Sequence, residues 1–268
     1  MGRKNDRSSL FRYNRQMLFE ELGEEGQLKL LDSAVVVAGC GGLGANIANT
    51  LVRAGIGHIK IVDRDKVELD NLHRQILYDE ADVKQGQPKT TIAAKKLSQV
   101  NSQVVIEPVV VQMNADNIED IILGADLLLD ATDNFETRML LNDACIKHGI
   151  SWIYAGVMAA YGNVFTIIPG QTPCLRCFIN DLPPDKDIPG TETYGVLPTA
   201  VNIIANIEVT EAIKFLTGKK EALLHKLINV DVWNGTWNMF EIEKQDNCPC
   251  CGLKRFDFLD NPRQKLQS

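Results

Sequence analysis

The sequence reads "VVVAGCGGLG" at residues 35–44, where a β-branched run breaks into a cluster of four glycines. The run predicts a buried strand, and the apolar residues that follow recur with a helical period. Gly39, Gly41 and Gly44 allow a tight turn between strand and helix, with backbone N–H groups directed at a phosphate. Asp63 ends the next predicted strand, where a carboxylate can bind a ribose hydroxyl. The stretch predicts a nucleotide site, unless the glycines only pack the turn, and NAD is its usual ligand.

Strand and helix patterns alternate along most of the chain. The predicted strands are 34–38, 58–62, 104–110, 126–130, 151–157, 162–168 and two within 226–242. The predicted helices are 17–31, 43–54, 88–100, 116–123, 135–148 and 199–217. This order is typical of an α/β fold with a doubly wound, mostly parallel, Rossmann-like sheet. The "NG" pair at 234–235 predicts a hairpin, so antiparallel strands extend the sheet.

We expect one continuous domain with an arm and a tail. Residues 1–33 form the N-terminal arm and a helix, and residues 34–168 form the nucleotide-binding α/β core. Residues 169–256 add a crossover loop, a helix, antiparallel strands and a zinc knuckle. The charged residues 257–268 are expected to be a frayed tail.

Composition excludes several classes of function. The chain has 268 residues, of which 45% are hydrophobic and 24% charged, as in an ordinary globular protein. Its net charge of −7 argues against general nucleic-acid binding. No apolar run approaches the roughly 18 residues of a membrane span. The polar, basic N-terminus lacks the apolar core of a secretory signal, so a cytoplasmic location is expected.

The loop after the second strand, "DRDKVELDNLHRQ" at residues 63–75, favours a nucleotide other than NAD. It contributes Asp63, Asp65, Asn71, Arg74 and Gln75. Two further polar residues follow later strands or open helices, namely Lys89 in "GQPK" and Asp133 in "DATDN". Cations for phosphate charge and a carboxylate for Mg²⁺ suit a nucleoside triphosphate. Taken singly, Arg74 could form a surface ion pair and Lys89 could be a solvated helix residue.

These motifs resemble those of the ThiF/MoeB/HesA family, the bacterial relatives of ubiquitin-activating enzymes. The similarity runs from "RYNRQ" at 12–16 through "GCGGLG", "DRDKVELDNLHRQ", "GQPK", "DATDN", "CLRC" and "EAIKFLTG" to "CPCCG". It therefore covers nearly the whole chain. Family members adenylate the C-terminal carboxylate of a small ubiquitin-like protein that ends in Gly-Gly.

The resemblance implies ATP, with Mg²⁺, as the bound nucleotide. It assigns contacts with ATP or its metal to Gly42, Asp63, Asn71, Arg74, Lys89, Asp133 and Asn134. Arg15 resembles an arginine that reaches the triphosphate from the partner subunit of a homodimer. We expect Arg74 and Lys89 to be the catalytic cations and Asp133 to hold Mg²⁺. A carboxylate nucleophile is already ionised at pH 7, so no general base is required.

The cysteines form a two-plus-two pattern. Cys174 and Cys177 lie in "CLRC", and Cys248 and Cys251 lie in "CPCCG". Four thiolates at this spacing predict a closed, structural Zn²⁺ site, with redox use of one pair as the alternative. Cys250 falls between two ligands, and its role is open.

The sequence also departs from the family. Many members carry a cysteine in a stretch resembling "TCxxAGV", where this chain has "GTETYGV" with Thr191. A hydroxyl cannot carry a persulfide, so a covalent step after adenylation is in doubt. We see no rhodanese-like stretch and expect a separate sulfurtransferase.

The expected function is adenylation of a sulfur carrier for molybdopterin or thiamine synthesis. The alternatives are adenylation of a peptide or another small protein, a non-catalytic nucleotide-binding scaffold and, less favoured, a nicotinamide oxidoreductase.

Overall fold

The computed structural model describes residues 10–179 and 194–260, which contain one eight-stranded sheet. The strands are β1 Ala34–Ala38, β2 His58–Val62, β3 Val105–Val109, β4 Leu127–Asp130, β5 Ser151–Met158, β6 Tyr161–Ile167, β7 Leu227–Asp231 and β8 Thr236–Phe240. Their order is β3-β2-β1-β4-β5-β6-β7-β8. The pairs from β3 to β5 are parallel, and those from β5 to β8 are antiparallel. The predicted fold class is confirmed.

Helices cover both faces of this sheet. They are α1 Asn14–Met17, α2 Gly23–Asp32, α3 Gly42–Ala54, α4 Glu80–Gln85, α5 Lys89–Val100, α6 Ile118–Ile122, α7 Phe135–His148, α8 Pro198–Leu216 and α9 Asp257–Asp260. Short 3₁₀ turns lie at Phe11–Tyr13, Leu69–Asn71, Leu175–Cys177 and Lys220–Ala222. Within the described ranges, none of these helices has the length and apolarity to cross a bilayer.

The single helix predicted at 17–31 is wrong. The chain forms α1, then turns, and begins α2 only at Gly23. Gly23 has φ of +60°, a left-handed conformation that a continuous right-handed helix does not accommodate. The apolar period of this segment therefore belongs to two helices with different axes.

Two apolar layers separate the sheet from its helices. On one face, α3 and α8 pack against each other and bury Ile47, Leu51 and Ile204. On the other face, α6 and α7 bury Met139 and Trp152 together with the cysteine-rich segments. Burial of both faces explains why the central parallel strands β1 and β4 consist of Ala, Val and Leu up to the terminal Asp130.

The N-terminal segment is fastened to the far end of α3. Gln16 Nε2 donates to the Ala54 carbonyl at 2.9 Å, and Gln27 Nε2 donates to the same oxygen at 3.0 Å. Tyr13 is buried, and its hydroxyl accepts a hydrogen bond from Asn101 Nδ2 at 2.8 Å. Because α3 rises about 1.5 Å per residue, this end lies about 20 Å from the glycine turn.

The start of the predicted tail is folded. In α9, Leu259 is buried and the Phe258 N–H donates to Asp143 Oδ2 at 2.9 Å. Asp257 pairs with Arg176, Nη2 to Oδ2, at 3.1 Å. The expectation of a frayed tail is therefore wrong for residues 257–260, and residues 261–268 lie outside the described part of the chain. The remaining domain boundaries stay predictions.

Candidate nucleotide site and cysteine cluster

A cavity of about 710 Å³ opens at the carboxyl ends of β1, β2 and β4. This edge, where the strand order reverses, is where open α/β sheets bind ligands, and the volume suits a nucleotide. Most of the residues predicted from the sequence line it: Gly39, Gly41, Gly42, Asp63, Asp65, Asn71, Arg74, Gln75, Lys89, Asp133 and Asn134. The fold thus brings four separate sequence motifs together.

The glycine turn is built for close backbone approach. Gly39 has φ of +107°, and a Cβ there would lie 2.5 Å from the Ala131 carbonyl oxygen. A Cβ on Gly44 would lie 2.0 Å from the Gly39 carbonyl oxygen, so Gly44 packs the helix onto the turn and does not line the cavity. Gly41 caps α3 without any side-chain hydrogen bond. The first N–H groups of α3 therefore face the cavity as an anion site.

Asp63 and Lys89 fix the next part of the wall. Asp63 accepts hydrogen bonds at 2.7 Å from the N–H groups of Cys40 and Asp65, which ties the glycine turn to the loop after β2. Burial raises the pKa of Asp63, although these two N–H donors oppose the shift. Lys89 begins α5, is 5% exposed, and places Nζ 3.5 Å from Asp65 Oδ2. Its ammonium is therefore held at the cavity wall and is not a solvated helix charge.

Arg74 and Gln75, in the loop after β2, lie beside the glycine turn. Arg74 Nη1 donates to the Asp70 carbonyl at 3.2 Å, and its stem lies 3.5 Å from where a Gly42 Cβ would be. Gln75 Nε2 donates to Asn71 Oδ1 at 3.0 Å. Gln75 Oε1 is buried and accepts no hydrogen bond from the described residues. A ligand that supplies a hydroxyl, an amine or a metal-bound water would satisfy this oxygen.

Asp133 and Asn134 follow β4 and differ in their availability. Asn134 is the N-cap of α7, and its Oδ1 accepts from the Thr137 N–H at 2.9 Å. Its Nδ2 lies 3.3 Å from Asp133 Oδ1. The carboxylate of Asp133 is exposed to the cavity, so it remains free to bind a cation. Asn134 thus has a structural duty that the sequence motif did not reveal.

Arg15 does not line the cavity of its own chain. It lies on α1, exposed, next to the Gln16 that bonds to the far end of α3. Within one chain, its guanidinium is therefore remote from Arg74 and Lys89.

Sequence reasoning missed Arg138, which is 7% exposed and lines the cavity. Its Nε donates to Asp130 Oδ2 at 3.1 Å, and Nη2 donates to the carbonyls of Thr132 at 2.6 Å and Ala155 at 3.2 Å. The guanidinium also lies 5.5 Å from the centroid of the Tyr154 ring. The signal was available, because an arginine closes the stretch "DATDNFETR" on the buried face of α7.

Glu208 was also missed. It lies on α8, fully buried, and neither carboxyl oxygen has a hydrogen-bond partner in the described chain. Burial, and next the nearby Asp130 carboxylate, raise the pKa of Glu208 well above its usual value. The protonated form of Glu208 is therefore favoured in the folded protein, next to the Asp130–Arg138 ion pair.

The four predicted cysteines come together on the opposite side of the sheet from α8. The Sγ atoms of Cys174, Cys177, Cys248 and Cys251 all lie within 4.8 Å of one another, and all four residues are buried. Cys174 and Cys248 are 3.6 Å apart at sulfur, and Cys177 and Cys251 are 3.4 Å apart. A disulfide would require about 2.05 Å, so the cluster is a set of free thiols that can hold a metal ion.

Cys250 lies beside this cluster and outside its ligand set. Its Sγ accepts a hydrogen bond from Asn142 Nδ2 at 3.2 Å. Asn142 also accepts from the Leu175 N–H at 2.9 Å, so one amide links both cysteine segments. The position of Thr191 lies outside the described residues, and the prediction made for it stays a prediction.

Comparison with known proteins shows which family the chain belongs to. The chain is 43% identical, over 94% of its length and 75% of the relative's, to the sulfur carrier protein ThiS adenylyltransferase of Bacillus subtilis. It is 35% identical to the adenylyltransferase and sulfurtransferase MOCS3 of Xenopus laevis, over 91% of this chain and 53% of that protein. The crystal structure of E. coli MccB with ATP superposes with a TM-score of 0.79 at 25% identity, covering 90% and 74% of the two chains. Residues 13–250 match the ThiF family, and the chain therefore belongs to that family.

Proposed function

We propose that this protein is an ATP-dependent adenylyltransferase whose substrate is the C-terminal carboxylate of a ubiquitin-like sulfur carrier ending in Gly-Gly. The observation that carries the proposal is the convergence of Arg74, Lys89 and Asp133 on one cavity beside an uncapped helix N-terminus. Two cations and a carboxylate are required by a triphosphate, whereas a dinucleotide oxidoreductase has no use for them. The 43% sequence identity to the ThiS adenylyltransferase of Bacillus subtilis supports the same conclusion.

ATP would extend along the carboxyl edge of the sheet. The N–H groups after Gly41 and Gly42 suit the phosphates, and Asp63 suits a ribose hydroxyl. Gln75 Oε1 and Asn71 are placed for a ribose hydroxyl or for water bound to Mg²⁺. Asp65 would act mainly by holding Lys89, because their charged atoms are 3.5 Å apart. Asn134 would position Asp133 from its place as the cap of α7.

The reaction needs positioning and charge stabilisation more than proton transfer. One oxygen of the carrier carboxylate bonds to the α-phosphorus, the bond from that phosphorus to the bridging oxygen breaks, and pyrophosphate leaves with the electron pair. Arg74 and Lys89 would stabilise the charge that develops on the phosphoryl oxygens. Asp133 would hold Mg²⁺, which neutralises the departing pyrophosphate. Holding both reactants in line supplies much of the remaining acceleration.

We propose Zn²⁺ as the ion of the cysteine cluster. A tetrahedral Zn–S₄ site with bonds of about 2.3 Å has sulfur atoms about 3.8 Å apart, and the observed 3.6 and 3.4 Å are close to this. The site would be structural, because the ion would join two segments of the chain. Cys174 and Cys177 follow β6, and Cys248 and Cys251 follow β8. A metal here would fasten the end of the chain to the start of the crossover.

The same proposal includes partners. We infer a homodimer in which Arg15 of one subunit enters the cavity of the other, since Arg15 is remote from its own cavity. A separate sulfurtransferase would then supply sulfur to the activated carrier, for thiamine or molybdopterin synthesis in the cytoplasm. The relative MOCS3 carries a sulfurtransferase in its name and extends well beyond the matched region.

A peptide substrate is the second candidate. It is favoured by the structural similarity to the microcin C7 biosynthetic enzyme MccB, whose structure has been solved in complex with N-formylated MccA. Identity to MccB is 24–25%, against 43% to the ThiS adenylyltransferase, so a carrier protein is the better supported substrate. A non-catalytic scaffold would not need to retain Arg74, Lys89 and Asp133 together.

The test is ATP–pyrophosphate exchange. We expect the purified enzyme with Mg-ATP to exchange labelled pyrophosphate into ATP only when a carrier with a free C-terminal carboxylate is present. The ThiS protein of B. subtilis is the first carrier to use, with a form lacking the terminal Gly-Gly as its control. Exchange that does not depend on any carrier, or on its C-terminus, would contradict the proposal.

A further inference from the structure

The parallel strands end at the cavity, whereas the antiparallel strand β6 begins there. The β5–β6 hairpin turns at residues 159–160, so β6 starts at the cavity edge and runs away from it. Tyr161 and Asn163 on β6 both line the cavity. From this point the antiparallel strands β7 and β8 continue the sheet outward.

Three asparagines form a line across these strands. Asn163 is opposite Asn229 on β7, and Asn229 is opposite Asn238 on β8. We call Asn163, Asn229 and Asn238 the asparagine row. A Cβ on Gly162 would lie 2.2 Å from Ile204 Cγ1, so residue 162 faces α8. Side chains alternate along a strand, and the row therefore lies on the other face of the sheet.

The row retains unused hydrogen-bonding capacity. Asn229 Nδ2 donates to Asn163 Oδ1 at 2.9 Å, and the carboxamides of the row make no other hydrogen bond among residues 10–179 and 194–260. Asn163 and Asn229 are half-buried, whereas Asn238 is exposed. A carboxamide offers two N–H donors and an acceptor oxygen, which match the two groups of a peptide unit. The row thus suits a bound main chain better than it suits a charge.

We propose that the asparagine row binds the extended C-terminal tail of the carrier protein, just before its Gly-Gly. This inference rests on the proposed function. Neighbouring strands are about 4.8 Å apart, so the row spans about 10 Å, or about three extended residues. Its inner end, Asn163, is in the cavity where the carboxylate must meet the α-phosphorus. A tail laid across the three strands leads its last residues into that cavity.

Binding through carboxamides predicts which changes in the carrier tail the enzyme tolerates. The row contacts peptide groups, so it tolerates a change of side chain in this part of the tail. It does not tolerate the loss of a peptide N–H, because a donor to the asparagine oxygens is then missing. A carrier with alanine in the three positions before Gly-Gly is therefore a good substrate, and one with a proline there is a poor one.

The experiment uses the full-length enzyme and ThiS of B. subtilis as the probe. Asn229→Ala and Asn238→Ala are combined in one double variant, and Met239→Ala is the matched control. Met239 is exposed, adjoins Asn238 on β8, and points to the opposite face. Two lost neutral hydrogen bonds correspond to about a tenfold rise in the carrier KM. The KM for ATP and kcat should stay within about twofold of the unmodified enzyme, and the control should match it in all three.

Titration of ThiS into nucleotide-free enzyme measures the same contact without catalysis. The double variant should bind about tenfold more weakly than both the unmodified protein and Met239→Ala. An unchanged Kd and carrier KM in the double variant would overturn the row as a binding site. A rise in the KM for ATP of the same size would also overturn it, because the defect would then lie in the cavity. If the proposed function itself were wrong, the unmodified enzyme would show no carrier-dependent exchange, which is a different result.

Discussion

Arg74 and Lys89 contribute the two cations at the phosphate end of the cavity, and each should be individually required. We expect Arg74→Ala or Lys89→Ala to lower the rate of carrier-dependent ATP–pyrophosphate exchange by about 10² to 10³, the typical cost of losing one aimed charge. Lys84→Ala, an exposed cation on the neighbouring α4, is the control and should retain full activity. Near-normal exchange in both cavity variants would remove the basis for the proposed mechanism.

Glu208 should make stability depend on pH. Its carboxyl is protonated in the folded state above the pH at which the unfolded chain ionises, so unfolding releases a proton. The free energy of unfolding should therefore fall as pH rises from about 4.5 towards the raised folded pKa, by up to about 1.4 kcal/mol per pH unit. Glu208→Gln removes this dependence. Its stability relative to the unmodified protein should increase with pH.

Denaturant unfolding at pH 5, 6, 7 and 8 measures this difference. Glu221→Gln, at an exposed position, is the control and should leave the pH profile unchanged. A constant difference between Glu208→Gln and the unmodified protein across this range would show that Glu208 does not titrate between the two states.

At the same scale, the sequence revealed the residues that lie in continuous motifs. The turn glycines and Asp63 directly follow strands whose carboxyl ends share an edge, so strand prediction brought them together. Lys89 opens a helix and was identified from the motif "GQPK". Arg138 lies just after the quoted motif "DATDN", and its bonds to Asp130 and Ala155 depend on the packing of β4 against β5. Glu208 looked like any polar residue in a helix. Glu208 becomes buried near Asp130 only when α8 packs against the sheet.

Among the elements, the cysteine cluster joins two segments that follow different strands. We expect one Zn²⁺ per chain, lost in Cys248→Ser and Cys174→Ser and retained in Cys250→Ser. The reason is that Cys250 bonds to Asn142 and lies outside the set of four sulfur atoms. Metal analysis of the purified variants measures this. An empty site in Cys250→Ser alone would mean that the ligand set is wrong.

Element boundaries show where local patterns cease to be sufficient. Strand β1 and helix α7 begin and end as predicted, because a buried β-branched run and an Asn cap are local signals. The helix predicted at 17–31 was wrong, since an apolar period persists across a change of helix axis at Gly23. The start of the tail was also misjudged, because Asp257 and Leu259 acquire partners only in the folded chain.

 At the scale of the whole molecule, Arg15 should complete the cavity of a second subunit. We expect Arg15→Ala and Asp133→Ala each to be inactive in carrier-dependent exchange. When the two variants are mixed and exchange subunits, half of the dimers are mixed, and each mixed dimer has one intact cavity. Activity should therefore recover to about one quarter of the unmodified level.

The control for this experiment mixes Asp133→Ala with Lys89→Ala. Asp133 and Lys89 both line the cavity of their own chain, so in a mixed dimer each of the two cavities carries one change. Each cavity is still paired with an intact Arg15 from the other subunit. Such dimers contain no complete site, so activity should not return. Equal recovery in both mixtures, or none in the first despite demonstrated subunit exchange, would argue against a shared site.

The reversal of strand direction at β5 and β6 has a consequence for the kind of substrate that fits. Parallel strands need long crossovers, usually helices, and such sheets are therefore covered on both faces. A hairpin needs only the two residues at 159–160, so it adds a strand without adding a covering helix. From that turn onward, sheet area can remain open beside the cavity. A small nucleotide needs no such opening, whereas the end of another polypeptide does. The direction of one strand thus decides whether this fold admits a macromolecule.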